Sequence, residues 1–366
     1  MTPERAARRF AVPGRLVSVL PAGDGNVNDT YQAVFRTAFD ESRFILQRLN
    51  TRVFTRPDRI MSNLRVLTDH VIRRLDREAP REDRIWQLPR IIPCRDGRDY
   101  FNNASGAWRA ITLIASAKAF DRAQSPGHAR ETGAVLGQFH RLVSDLNPAR
   151  VQVTLPGFHV TPLYLKRYDA TARTPGAKRR LKAPEAARLA EFIEARRSLA
   201  GVLEEARRRG ELIPRLIHGD PKVSNIMIDE LTGKGTSIVD LDTVQPGLIH
   251  YDFGDALRSI ANPAGEEAAD LSRVRFDLSL CRAFVKGYLS RARDFLTKAD
   301  RGYLYASVQL IAFELGLRFF EDHLAGDVYF KVRRPGQNLL RARVQLKLAA
   351  DIERREKEIR RALSAG

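Results

Sequence analysis

Short β-prone runs of apolar residues occupy the first part of the chain, at 15–20, 30–35 and 44–49. The first two flank a polar loop, Pro21-Ala22-Gly23-Asp24-Gly25-Asn26-Val27-Asn28-Asp29. The period then changes. Ile60, Leu64, Leu67, Val71 and Leu75 recur at helical spacing behind the start signal Pro57-Asp58, which predicts a helix over 56–77. Strand character returns at 85–92, from Tyr100 onward and at 108–114, around the turn Asp96-Gly97. A sheet of about five strands with one inserted helix is expected.

Beyond residue 114 the pattern becomes helical, and the domain boundary is placed there: 1–114 forms a small β-rich lobe and 115–366 a large, mostly helical one. Residues 128–143 and 184–209 read as amphipathic helices, the second with Leu189, Phe192, Ile193, Leu199 and Leu203 on its apolar side. Between them, 147–182 is rich in Pro, Thr and Gly and reads as an irregular lid or substrate loop. From 278 the chain is helical again, ending in a charged helix over 339–363 that reads as a solvated face covering the large lobe.

Composition narrows the class. With 366 residues, 43% of them hydrophobic, the chain can bury a core or two. No apolar run is long enough to span a membrane. Residues 1–20 lack the apolar stretch of a secretory signal, and Cys94 and Cys281 have no metal-ligand spacing; both features suit the cytoplasm. The charge of +18 comes from 62 basic residues, fifty-one Arg and eleven Lys, against 44 acidic ones. A positive field concentrates anions, yet no basic run interleaved with aromatics tracks a phosphate backbone. A small polyanionic substrate or cofactor accounts for the charge at least as well as nucleic acid does.

The chemistry concentrates at 216–255. His218-Gly219-Asp220-Pro221-Lys222-Val223-Ser224-Asn225 precedes a strand at 226–228, a polar turn and a second strand at 237–242 on which Asp240 and Asp242 lie. Asp220 and Asn225 share a loop, and Asp240 follows one hairpin later, so three oxygen donors can meet. Phosphoryl transfer from ATP needs such a set: one carboxylate for the hydroxyl proton, and a carboxamide and a second carboxylate for magnesium.

This segment resembles the catalytic and metal loops of the aminoglycoside phosphotransferase and choline kinase superfamily, relatives of the protein kinases. The resemblance implies an α+β, two-lobed protein-kinase-like fold, with Asp220 as base, Asn225 and Asp240 as magnesium ligands and Asp242 as an auxiliary ligand. It also implies that His218 braces the loop and that Lys222 meets the transferred phosphoryl group. Gly25-Asn26-Val27-Asn28-Asp29-Thr30-Tyr31, Phe44-Ile45-Leu46-Gln47-Arg48-Leu49-Asn50, Asp252-Phe253-Gly254-Asp255 with Arg258, Glu314-Leu315-Gly316-Leu317-Arg318-Phe319 and Asp327-Val328-Tyr329-Phe330 resemble the N-acetylhexosamine 1-kinase branch. ATP and Mg2+ follow as expected cofactors. A sugar follows as the expected acceptor, with an aminoglycoside, choline, homoserine or another small alcohol as alternatives.

One departure stands out. Protein kinases hold phosphates with a lysine on the third strand, and no lysine precedes Lys118 here. Gln47 and Arg48 are the polar residues of that strand, with Arg48 the candidate phosphate ligand. Gly25, Asn26 and Asn28 supply the loop contacts. The missing lysine leaves room for a silent nucleotide- or polyanion-binding scaffold as a rival reading. Asp252, Asp255 and Arg258 read as a helix start with an internal ion pair, and His140 as structural. His159, Arg318 and Tyr329 are candidates for the acceptor pocket, with a buried Glu314–Arg318 pair and a structural His159 as their plainer readings.

Overall fold

The computed structural model describes residues 1–22, 27–78, 84–104 and 106–364. After a short helix α1 (Pro3–Ala7), strands β1 (Arg15–Pro21), β2 (Asp29–Arg36) and β3 (Glu41–Leu49) form an antiparallel meander. Helix α2 (Pro57–Arg77) follows, close to the expected 56–77. Strands β4 (Ile91–Ile92), β5 (Tyr100–Asn103) and β6 (Gly106–Thr112) complete a sheet of order β1-β2-β3-β6-β4, with β5 also paired to β6. The strand expected at 85–92 shrinks to Ile91–Ile92. Upstream of it, the Gln87 N–H donates to Thr236 O (2.8 Å) and the Gln87 side chain bonds Ala115, so the backbone is spent outside the sheet.

Side chains alternate between the two faces of a strand, and the two faces here do different work. Ala33 and Phe35 of β2, Phe44 and Leu46 of β3 and Trp108 and Ala110 of β6 pack with Phe10, Val12, Cys94 and Phe101 in a small core. The opposite face carries Thr30, Gln47, Arg109 and Ile111, and Ile111 packs on the larger core of the helical region.

A two-residue strand, β7 (Ala117–Lys118), leads into that region. Its frame is α3 (Pro126–Val143), α8 (Ile249–Ile260), α9 (Leu278–Ala292), α10 (Lys298–Ala325) and α11 (Gln337–Arg354). Helices α3 and α9 cross closely enough that a Cβ at Gly287 would fall 1.9 Å from Arg130 O, a contact only glycine permits. Between α3 and α8 come α4 (Thr161–Ala172), α5 (Pro175–Arg180), α6 (Pro184–Glu194) and α7 (Val202–Arg208). The strands of this stretch are β8 (Arg215–Ile217), β9 (Ile226–Asp229), β10 (Gly235–Ile238) and β11 (Gln245–Gly247). The sheet region also lends to this core: Leu64, Leu67 and Val71 of α2 are buried in it.

Several expectations are corrected. The stretch 147–182 is not a mainly irregular lid: Pro162 and Pro175 stand in the first turns of α4 and α5, at the second and first positions, where proline is tolerated and does not break a helix. The single helix expected at 184–209 is α6 and α7 joined by a 3₁₀ turn, Arg197–Gly201. The terminal helix divides at Arg355 into α11 and α12 (Glu356–Ser364), and α11 is no solvated face, since Ala342, Val344, Leu346, Leu348 and Ile352 are buried. Strand β10 stops at Ile238, so Asp240 lies beyond the hairpin in a left-handed conformation (φ 64°, ψ 56°). No helix among the described residues is long and apolar enough to cross a membrane.

Candidate active site

The loop from His218 to Asn225 leaves β8 and returns in β9. Its backbone is held by a buried carboxylate: Asp252, in the first turn of α8, accepts from His218 N (2.6 Å) and Gly219 N (2.8 Å). The His140 Nε2 also lies 2.9 Å from Asp252, and its Nδ1 is 3.0 Å from Tyr288 Oη. Burial works against the Asp252 charge, but His140 outweighs it and keeps the carboxyl below the usual range. Gly219 turns with φ 89°; a Cβ there would lie 2.8 Å from Thr243 O. His218 donates through Nε2 to Val239 O (2.9 Å), and its Nδ1 accepts from Asp220 N (3.2 Å), which fixes a neutral ring. His218 thus braces the loop, as the motif implied.

These bonds present the Asp220 side chain to the cleft. Lys222 Nζ lies 2.8 Å from Asp220 Oδ2, and Asn225 Nδ2 donates to Asp220 O (2.7 Å) and Oδ2 (3.2 Å). Burial opposes ionisation of Asp220, yet Lys222 prevails and holds its carboxyl below the ordinary value. With its amide nitrogen spent on Asp220, Asn225 has its carbonyl oxygen left for another partner. Val239 N donates to Asn225 O (2.9 Å), which brings Asp240 alongside.

Asp240 is exposed by surface area but lies deep in the cleft. That depth, then the carboxylates of Asp242 and Asp220, push its carboxyl up to about 7. Such crowding suits a bound cation. Among the described residues no group of three or more His, Cys, Asp or Glu forms a metal site by itself. Magnesium fits nonetheless, because it commonly takes one or two protein oxygens and completes its shell with phosphate and water. Asn225 and Asp240 offer those two. Asp242 is differently placed: it is buried, its Oδ2 accepts from Asn28 Nδ2 (2.7 Å) and its Oδ1 is 2.5 Å from Arg109 Nη2.

On the nucleotide side, Gly25 and Asn26 lie outside the described residues. Asn28 ties the loop to the metal side through Asp242, and its Oδ1 accepts from Asn50 N (3.0 Å). Gln47 faces the cleft, donating through Nε2 to Thr30 Oγ1 (3.1 Å) and accepting from Arg109 Nε (2.9 Å) and Nη2 (2.7 Å). Arg48, the sequence candidate for a phosphate, is corrected by the pleat. It points to the opposite face, pairs with Asp29 (2.5 Å) and lies over the Trp108 ring at 5.9 Å. Arg109 itself escaped the sequence reading; the signal available was its cross-strand register with Gln47.

On the remaining side, Arg318 sits among three rings, with Tyr164 at 4.9 Å, Phe158 at 5.2 Å and Phe330 at 5.6 Å. Its nearest acid is Glu314 at 3.8 Å, and among the described residues its guanidinium makes no hydrogen bond. Tyr329 is half exposed, edge-on to Phe330. The segment is pinned by Asp322, whose carboxylate accepts from Val328 N (2.9 Å), Tyr329 N (2.8 Å) and Phe330 N (3.0 Å). His159 has both nitrogens engaged, Nδ1 with Glu314 (2.9 Å) and Nε2 with Gly219 O (2.8 Å). It therefore braces the loop and has no nitrogen left for a substrate. Asp255 pairs with Arg258 (2.7 Å), which also holds Glu266 (2.7 Å), as the ion-pair reading expected. The Asp255 Oδ2 is buried without a hydrogen-bond partner.

A sheet roofing a buried, neutral-histidine loop with one carboxylate and paired oxygen donors is the arrangement of this site, and solved structures share the fold around it. An aminoglycoside phosphotransferase from Alicyclobacillus acidocaldarius matches with TM-score 0.62 at 13% identity, over 100% of this chain and 97% of that one. A choline kinase from Cryptosporidium parvum Iowa II matches with TM-score 0.61 at 10% identity, over 97% and 96%. A spectinomycin phosphotransferase in complex with ADP and spectinomycin matches with TM-score 0.54 at 12% identity, over 95% of each. Identity this low carries the fold alone. The chain belongs to the phosphotransferase enzyme family, whose model matches residues 18–288. It is a phosphotransferase acting on a hydroxyl group.

Proposed function

We propose that this protein is an ATP- and magnesium-dependent kinase for a small-molecule hydroxyl, with the anomeric hydroxyl of an N-acetylhexosamine or a related sugar as acceptor. The observation that carries the reading is the Asp220 hub: an ionised carboxylate held by Lys222 and Asn225, beside two oxygen donors suited to magnesium. Asp220 orients the hydroxyl and takes its proton as the oxygen attacks the γ-phosphorus, and the bond from that phosphorus to the β–γ bridging oxygen breaks to release ADP. Lys222 is close enough to Asp220 to meet the transferred group. Asn225 and Asp240 would hold magnesium, which would supply charge neutralisation on the phosphates. Asp242, with Oδ2 accepting from Asn28 and Oδ1 ion-paired to Arg109, acts by holding the sheet region in place rather than as a ligand. We divide the chain into a nucleotide-covering lobe, 1–114, and a catalytic and acceptor-binding lobe, 115–366, and place the protein in the cytoplasm, where free thiols such as Cys94 and Cys281 persist.

The sugar is supported by the chemistry around Arg318. A caged guanidinium with uncommitted donors and the half-exposed Tyr329 hydroxyl offer both donors and an acceptor to a polyhydroxyl ligand. The same permanent cation disfavours choline and the amines of aminoglycosides. The test is ATP turnover with N-acetylglucosamine, N-acetylgalactosamine, simple hexoses, choline, homoserine and an aminoglycoside, wild type beside Asp220→Asn, with the phosphate position assigned by phosphorus NMR. Stimulation by an N-acetylhexosamine that is lost in Asp220→Asn is expected. If only the cationic alcohols stimulate, the sugar assignment fails; if nothing does, the kinase reading fails with it.

A further inference from the structure

Three side chains from three strands form one row on the cleft face of the sheet: Thr30 on β2, Gln47 on β3 and Arg109 on β6, each directly opposite the next. They are chained by hydrogen bonds, Gln47 donating to Thr30 and accepting twice from Arg109. The row ends across the cleft on Asp242, two residues from Asp240. The neighbouring row, Asp29, Arg48 and Trp108, is the same construction on the other face, turned away from the cleft.

We propose that Arg109 is the cation of the sheet region that binds the nucleotide phosphates, doing so from β6 while paired to Asp242. The proposal rests on the kinase reading above. Arg109 is only 2% exposed, and burying a charge demands a partner and a reason. Asp242 is the partner. The guanidinium has five donor hydrogens; Nε and Nη2 serve Gln47 and Asp242. The Nη1 group makes no hydrogen bond among the described residues and is not sealed from solvent. A planar fork held on two sides with its third side uncommitted, and paired to an acid two residues from Asp240, suits a phosphate oxygen of a magnesium-bound nucleotide. Protein kinases join a β3 lysine to a glutamate on the following helix. Here there is no lysine on the sheet and no glutamate on α2. An arginine on the adjacent strand, directly opposite Gln47 and paired to an acid of the metal loop, performs both duties and couples phosphate binding to the contact between sheet and loop.

The experiment is calorimetric binding of Mg·ADP and of adenosine to wild type, Arg109→Ala, Arg109→Lys and Arg48→Ala, with a thermal melt of each. We expect Arg109→Ala to weaken Mg·ADP about tenfold or more and Arg109→Lys several-fold, with adenosine affinity unchanged in both and Arg48→Ala like wild type. If Arg109→Ala does not fold, Arg109→Lys keeps the buried charge and decides alone. Equal losses for Mg·ADP and adenosine would mark a merely structural arginine and overturn the proposal. So would a Mg·ADP affinity unchanged in Arg109→Lys and in any folded Arg109→Ala, or a loss in Arg48→Ala as large as theirs. A wild type that binds neither ligand sinks the kinase reading itself, whereas binding that ignores Arg109 sinks only this assignment.

Discussion

Residues 218–225 place the proposed base Asp220, its lysine and the proposed metal-facing carboxamide of Asn225 within one loop, while the roof of the same cleft assembles its polar row from Thr30, Gln47 and Arg109, far apart in the chain. The loop is rigid because buried groups outside it consume its backbone: Asp252 takes two N–H groups, His159 donates to Gly219 O and Thr243 donates to His218 O. The roof depends on strand register, since a slip of one residue would send Gln47 and Arg109 to the far face. Function on the floor is set by sequence proximity and on the roof by pleat. The two should fail differently when mutated.

The largest effect is expected on the floor. Asp220→Asn keeps the side chain's shape and removes the proton acceptor, so kcat should fall by about 10²–10⁴ with Mg·ADP affinity retained. A variant that keeps wild-type kcat would remove Asp220 from the chemistry. Next comes the support below it. Asp252→Ala strands His140 and two backbone N–H groups in the core, at a cost of about 3–5 kcal/mol by urea unfolding; a loss under about 1 kcal/mol would mean that the loop holds itself. Arg318→Ala should then lower acceptor kcat/KM about tenfold or more, the scale of one hydrogen bond from a charged group. Nucleotide KM should stay unchanged, and a change in nucleotide KM instead would place Arg318 on the wrong side of the cleft.

The contrast also explains what was legible beforehand. That the floor's side chains meet could be read because His218, Asp220, Lys222 and Asn225 lie within eight residues of one another on one loop. Helix α2 and the first three strands were read from period alone. The roof could not be read in the same way. Gln47 was noticed, but its partner stands sixty-two residues later, and Arg48 drew attention because charge is visible in a sequence and pleat parity is not. The helices α4 and α5 were missed because Pro, Thr and Gly signal loops in general, while Pro162 and Pro175 act here as first-turn residues. His159 and Asp252 gave no clue to their shared task, since each reaches the loop through tertiary contacts.

The brace at His159 carries a pH signature. Burial would lower its pKa, but Glu314 overcomes this and raises it, while Glu314 itself is held below its usual range. A group whose folded pKa is raised contributes its full stability below its unfolded value, about 6.5, and loses it as pH rises through the folded value. Wild type should therefore lose thermal stability as pH climbs above about 6.5, and Glu314→Gln should flatten that decline. Identical slopes in the two proteins would show that the pair does not titrate with folding.

The smallest effect belongs to the outer row of the roof, and its smallness is informative. Arg48 and Asp29 are each about two-fifths exposed, so their pair is screened by water and worth about 0.2–1 kcal/mol. Arg48→Ala should cost no more than that in urea and leave Mg·ADP affinity alone, although Arg48 is one residue from Gln47 in the chain. Gln47→Ala, by contrast, removes the acceptor that orients Arg109 and should weaken Mg·ADP several-fold. Adjacent residues with opposite outcomes would establish that face, rather than position in the motif, decides which side chains of this strand serve the cleft. Equal outcomes would mean that the register of β3 against β6 differs from the one described.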